Sequence, residues 1–231
     1  LIYLREGKTK MAYSLAKQTM SVLRMEILAD LRRPTVLMAA ALQVFSLALL
    51  CYLSNPDIHE KTWNSLFWLT VVFSTMQAVS KSFVSISRAR WIYLNQLSSP
   101  AATILAKVLY AWAIMILLCL LDLAVFSFFM STPVKHVYPY LGFILLVSGG
   151  LGTVYTMISA IASKTAQPGF LVPVLSLPII LPLLLIGVQG SVKCLNPILV
   201  SSAFQDLWLL LSLNFLLLVL AATLFNPLWR D

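Results

Sequence analysis

Charged side chains are scarce here: they make up 10% of 231 residues, against about 25% in an ordinary soluble domain. That scarcity excludes a water-soluble globule, because there is too little polar surface to cover one. Histidine is nearly missing, with only His59 and His136. The three cysteines, Cys51, Cys119 and Cys194, follow none of the spacings of a metal or redox site. No GxxxxGK[ST] phosphate loop occurs, so the chain is not expected to hydrolyse ATP itself, and no other catalytic constellation is visible. Acids are half as frequent as bases, 8 against 16, for a net charge of +8. The bases are spread over short polar segments and not clustered, which points to anionic lipid headgroups and away from nucleic acid. No cleavable signal peptide is visible, because the basic amino end runs into a stretch of full spanning length. The sequence opens on Leu1, and Met11 is expected to be the usual start, with residues 1–10 an upstream extension.

What the chain has in abundance is apolar length. It is 60% hydrophobic, with a mean hydropathy of +0.91. Six stretches meet the roughly 20 residues a bilayer requires: Thr35 to Leu53, Trp63 to Ile86, Ala102 to Met130, Tyr138 to Ala162, Phe170 to Val188 and Leu207 to Phe225. With a cytoplasmic amino end, the inside segments hold Arg5, Lys8, Lys10, Lys17, Arg24, Arg32, Arg33, Lys81, Arg88, Arg90, Lys107, Lys164 and Arg230, and the outside loops only Lys61, Lys135 and Lys193. The positive-inside rule accepts that orientation and rejects its reverse. The expectation is an all-α membrane protein of six transmembrane helices with both termini cytoplasmic. Residues 1–33 form a cytoplasmic amino-terminal segment and residues 34–231 one membrane domain. Trp63 and Trp68 suit the outer interface, Lys107 is expected to snorkel to the headgroups, and Asn226-Pro227 to close the last helix.

Several segments carry more than hydropathy. Before the first span, Met20, Leu23, Ile27 and Leu31 recur at helical spacing opposite Lys17, Ser21 and Arg24. This predicts an amphipathic helix in the inner headgroup region, turning into the first span. The fourth span lines Gly149, Gly152, Thr156, Ser159 and Ser163 along one face, a surface for close helix packing within the chain or between two copies. Pro173, Pro178 and Pro182 interrupt the fifth span; each removes a helical donor, predicting a kinked helix buried in protein or beside a pathway. Asp122 is the one acid inside a span, a functional candidate by default and a structural one if protonated or wet. His59 and His136, in outside loops, are weak candidates for haem iron and otherwise solvated loop residues. A Cys51–Cys194 disulfide is geometrically conceivable at the outer face. The connection of residues 87–100, with Arg88, Arg90, Trp91, Tyr93, Gln96 and the stop at Pro100, reads as a short basic-aromatic helix on the inner face that presses on a cytoplasmic partner, or as a loop that only fixes topology.

Leu97-Ser98-Ser99-Pro100, then Ile104 to Val108 and Trp112, resemble the opening of the third span in the haem exporter protein B family. Ser163-Lys164, Leu171 and Leu175 to Leu184 resemble that family's proline-punctuated fifth span, and Leu23 to Ile27 with Arg32-Arg33 its elbow helix, in which Arg24 and Glu26 lie. One departure is the connection before the third span, where many members have acids and this chain has Arg88 and Arg90. The resemblance implies a permease subunit of export-type ABC architecture in the bacterial inner membrane. It also implies pairing as a homodimer, a separate cytoplasmic ABC ATPase that supplies ATP hydrolysis, and companion haem-handling membrane subunits. Haem would be the transported or handled ligand in c-type cytochrome biogenesis, with no cofactor resident in this chain. An exporter of lipid-linked polysaccharide or of a small hydrophobic compound shares the architecture, and a non-transporting scaffold is a third reading.

Overall fold

The computed structural model describes residues 16–28, 35–54, 58–84, 100–162, 165, 168–196 and 198–230. Among them there are seven helices and no strand: α1 (16–28), α2 (Thr35–Ser54), α3 (Glu60–Val84), α4 (Pro100–Phe129), α5 (Val137–Ala162), α6 (Pro168–Lys193) and α7 (Val200–Arg230). Four helical stretches are long and apolar enough to cross a bilayer, namely Leu105–Phe129, Val137–Ala162, Phe170–Lys193 and Val200–Thr223. The apolar part of α2, Met38–Ser54, is shorter, and α3 is diluted by Asn64, Thr70, Ser74 and Thr75, all of them buried. The chain is an all-α membrane protein.

Three connections meet at one end of the bundle. Lys135 pairs with Glu60 at 3.5 Å, the His136 amide donates to the Cys194 carbonyl at 3.3 Å, and Lys193 pairs with Asp206 at 2.7 Å. This paired-loop end therefore gathers the α2–α3, α4–α5 and α6–α7 turns. Helix α1 packs at the opposite end, where Val22, Leu23 and Met25 meet Ala106 of α4.

Helix α5 is the axis of the packing. It lies against α4, α6 and α7, and every residue from Val147 to Ser159 is buried, as expected of a helix apolar on all sides. Helix α2 turns small residues inward and large ones outward, and α7 buries a mixed face closed by alanines at either end. In α2, Ala40, Val44 and Ala48 face the core while Met38, Leu42, Phe45 and Leu53 are exposed. In α7, Ala203, Leu210, Asn214, Leu217 and Ala221 face inward, with Trp208 and Phe215 exposed. Small inward residues let helices approach where lipid supplies no hydrophobic force between them.

Several expectations are corrected. Trp63 and Trp68 are both buried; their rings belong to an internal aromatic cluster and not to an interfacial belt. Lys107 is buried as well, because α1 covers this turn of α4. Helix α7 runs through Pro227 to Arg230, since a proline so near the end removes only one hydrogen bond. Helices α6 and α7 extend past the expected spans Phe170 to Val188 and Leu207 to Phe225, to Lys193 and back to Val200. The three cysteines are free thiols.

Candidate functional site

Two buried polar clusters, at different depths, organise the bundle. Near the paired-loop end, Asn64 of α3 donates from Nδ2 to Ser191 Oγ (3.0 Å) and to the Val188 carbonyl (3.3 Å) of α6. Trp68 Nε1 donates to the same Ser191 oxygen at 2.8 Å, and the Tyr140 hydroxyl of α5 donates to Asn64 Oδ1 at 3.1 Å. Around them Trp63 stacks on Phe67 at 5.7 Å, and both meet Phe126 edge-on. This cluster ties α3, α5 and α6 together. The sequence reading missed it, although Asn64 and Trp68 stand one helical turn apart in α3, the signal that could have found it.

Deeper in the bundle lies Asp122 of α4, whose side chain is fully buried. Ser74 of α3 donates to Asp122 Oδ2 at 2.9 Å, while Oδ1 has no partner. The water-exposed placement is therefore corrected: the flanking helices close over this carboxyl. At a similar depth Asn214 of α7 donates to the Leu146 carbonyl of α5 (3.0 Å) and to its own Leu210 carbonyl (2.8 Å). Trp112 of α4 donates to Thr153 Oγ1 of α5 at 2.9 Å.

The small-residue face of α5 is occupied inside the chain. A methyl group at Gly152 would come within 2.8 Å of Trp112 Cδ1 and 3.1 Å of the Trp112 backbone nitrogen. Gly149 faces the same indole at 3.6 Å, and Thr156 is buried, its hydroxyl turned back to the Gly152 carbonyl at 2.7 Å. Along the α5–α6 seam, Gly150 receives Leu183, Gly187 receives Val147 and Gly190 receives Phe143. With Gly149, Gly152 and Thr156 all enclosed, this stretch has no room for a second copy.

Helix α6 continues through Pro173, Pro178 and Pro182. Its inner side carries Val172, Ser176, Ile180 and Leu183, all buried; Pro178 and Pro182 stand on the exposed side and Pro173 is half-buried. Of the two placements expected for the prolines, burial in protein does not hold for Pro178 and Pro182 within the single chain, and a place beside a pathway is the one left. The reason is steric: the seam with α5 is filled by Leu183 and the glycine notches.

Of the other sequence candidates, Arg32, Arg33, Arg88, Arg90, Trp91, Tyr93 and Gln96 lie outside the described residues, and Pro100 is the first residue of α4. Arg24 is exposed and Glu26 half-buried on α1. Met20 and Ile27, from the predicted apolar stripe, are exposed while Val22 makes the contact to α4. His59 is exposed and His136 half-buried. No group of three metal-ligating side chains occurs among the described residues. Cys194 lies beside the His136 backbone, but burial, reinforced by Asp206, pushes its thiol up to about 11. It is therefore a neutral thiol at neutral pH.

Residues 17–226 match the protein family described as CcmB protein, a match that takes in all seven helices up to the last turn of α7. No curated protein and no solved structure matches the chain.

Proposed function

We propose, from the premise that this chain belongs to the CcmB family, the haem exporter protein B family, that it is the membrane permease subunit through which a separate ATPase drives haem delivery for c-type cytochrome assembly. The family is a membrane component of a haem-export, cytochrome c maturation ABC transporter. The finer reading has six spans with both termini cytoplasmic, a homodimer in the bacterial inner membrane, a cytoplasmic ABC ATPase bound to each copy, and companion haem-handling membrane subunits. The observation that carries it is the near full-length family match on a chain that has no nucleotide-binding loop of its own.

The packing supports a route for the coupling. Residues 85–99 join α3 to α4, so a push on Arg88, Arg90, Trp91, Tyr93 or Gln96 moves both helices at once. The Ser74–Asp122 hydrogen bond links α3 to α4, and the Gly152–Trp112 contact carries α4's motion to α5. Helix α5 is locked to α6 through the three glycine notches, which completes a path from the ATPase face to the proline-bearing helix. Haem is the handled ligand in this reading, and the work done on it is either its movement or the loading and release of a periplasmic haem chaperone.

Deleting the gene is the test. Loss of c-type cytochromes, with b-type haem proteins retained and rescue by the wild-type chain, is the predicted outcome. Intact cytochromes with altered surface polysaccharide would assign the chain to the alternative exporter class.

A further inference from the structure

Two buried acceptor oxygens on α2 and α4, Gln43 Oε1 and Asp122 Oδ1, have no hydrogen-bond donor. Their levels in the bundle agree. Ala40 of α2, Ala78 of α3 and Leu118 of α4 meet in one apolar layer. One turn closer to the paired-loop end, these helices present residues 43–44, Ser74 and Asp122, and the 2.9 Å Ser74–Asp122 hydrogen bond closes that layer.

An ionised carboxylate has about four acceptor positions to fill. Here it has little to fill them with. The single Ser74 hydroxyl hydrogen is contested by the Val71 carbonyl at 3.1 Å, and that of the neighbouring Thr70 by the Phe67 carbonyl at 2.8 Å. No cation compensates among the residues whose side chains are described, which leave out Gln77 and Lys81 of α3. On α4 the titratable neighbour is Cys119, one turn away; α3 offers only Ser74 and Thr70, and α2 only Gln43 at this level. On α5, Tyr155 lies beside Thr75, and Tyr140 is bonded to Asn64. Lys107 is four turns along α4, roughly 22 Å away, and α1 packs at that same far turn. On α6 and α7, Lys193 and Asp206 pair with each other at the paired-loop end. A bare, unpaired charge at membrane depth is unfavourable. A hard cation such as Ca²⁺ or Mg²⁺ requires about six or more oxygens, and this layer has two free.

We propose that Asp122 is an intramembrane proton-binding site: in this packing it is a neutral carboxylic acid whose O–H sits on Oδ1, the oxygen that Ser74 leaves free, with Gln43 Oε1 as the acceptor at the same level. The proton stays while α2, α3 and α4 are closed. It passes to water only when α3 and α4 part at Ser74 and solvent reaches Oδ1, so helix separation and deprotonation are one event.

Infrared spectroscopy of the full chain in lipid nanodiscs, with ¹³C-labelled aspartate, reads this directly. At neutral pH the wild type minus Asp122→Asn difference is predicted to contain the C=O stretch of a protonated carboxyl, sensitive to D₂O. Ser74→Ala is predicted to keep that band and raise its frequency, because Oδ2 loses its donor. Symmetric and antisymmetric carboxylate stretches in place of the acid band at neutral pH overturn the proposal. If Asp122→Asn does not accumulate, the wild type against Ser74→Ala decides alone: an unshifted acid band, or none, overturns it equally.

Discussion

Gly152 shows how a single residue sets the spacing of two helices. Its neighbours in α4 include backbone, the Trp112 nitrogen and the Ala111 carbonyl carbon at 3.1 and 3.2 Å from a methyl group placed there, and backbone cannot rotate away as a side chain can. Gly152→Ala is therefore predicted to destabilise the bundle by about 1–3 kcal/mol, the usual range for overpacking. Gly149→Ala, with its nearest contact at 3.6 Å, is predicted to be neutral or stabilising by up to about 1 kcal/mol through helix propensity. Thermal unfolding of the two variants in detergent checks the contrast; equal effects would mean that the α4–α5 spacing is not set at Gly152. The small-residue spacing of α5 is legible in the sequence, and so is the singularity of Asp122. The Asn64–Trp68–Tyr140–Ser191 cluster is not, because its members come from three helices and only packing brings them together. The burial of Trp63 and Trp68 is hidden for the same reason: composition places a tryptophan near an interface, and only its neighbours decide which way it points.

The helices themselves follow the apolar periodicity closely. Helix α2 matches the predicted first span to within a residue, and α4 and α5 are close behind. The match is poorest at the carboxyl end of α6 and the amino end of α7, where polar residues such as Gln189, Ser191, Ser202 and Gln205 cut the expected spans short at Val188 and Leu207 while the apolar helical stretches run to Lys193 and from Val200. The prolines of α6 illustrate a second limit: the sequence shows that three backbone donors are missing but not which side of the helix loses them. With Pro178 and Pro182 outward, the carbonyls of Val174 and Pro178 lack their helical partners on the side away from α5. Replacing both prolines with alanine restores up to two hydrogen bonds where each proline costs about 3 kcal/mol. The double variant is predicted to accumulate in the membrane at normal or higher level yet fail to support cytochrome c maturation. Loss from the membrane would assign the prolines to folding, and full activity would make the bend incidental.

The connection between α3 and α4 is an element known here by sequence only, and its role is testable at that level. Arg90→Glu combined with Trp91→Ala is predicted to release the ATPase subunit while the permease still inserts, measured by co-purification and by ATPase activity. Retention of both would remove residues 88–100 from the coupling role.

At the scale of the whole molecule, the buried helix α5 packs against α4, α6 and α7, with glycine-mediated seams to α4 and α6. Helix α3 joins these helices through Asp122, Asn64 and the aromatic cluster, and α2 packs on α3 and α4. In the proposed function this packing carries a push at one end to the other, as a permease worked by an external ATPase requires. The proposed orientation rests on the basic residues, sixteen in all, of which Lys61, Lys135 and Lys193 alone fall in the segments proposed to face outside. Lys135 and Lys193 lie at the paired-loop end, opposite α1 with Lys17 and Arg24. The most direct measurement is affinity purification of the tagged chain from its native membrane in mild detergent, with identification of what comes with it. The account predicts an ABC ATPase carrying the phosphate loop this chain lacks, together with haem-handling membrane subunits. Recovery of the chain without any ATPase would contradict it.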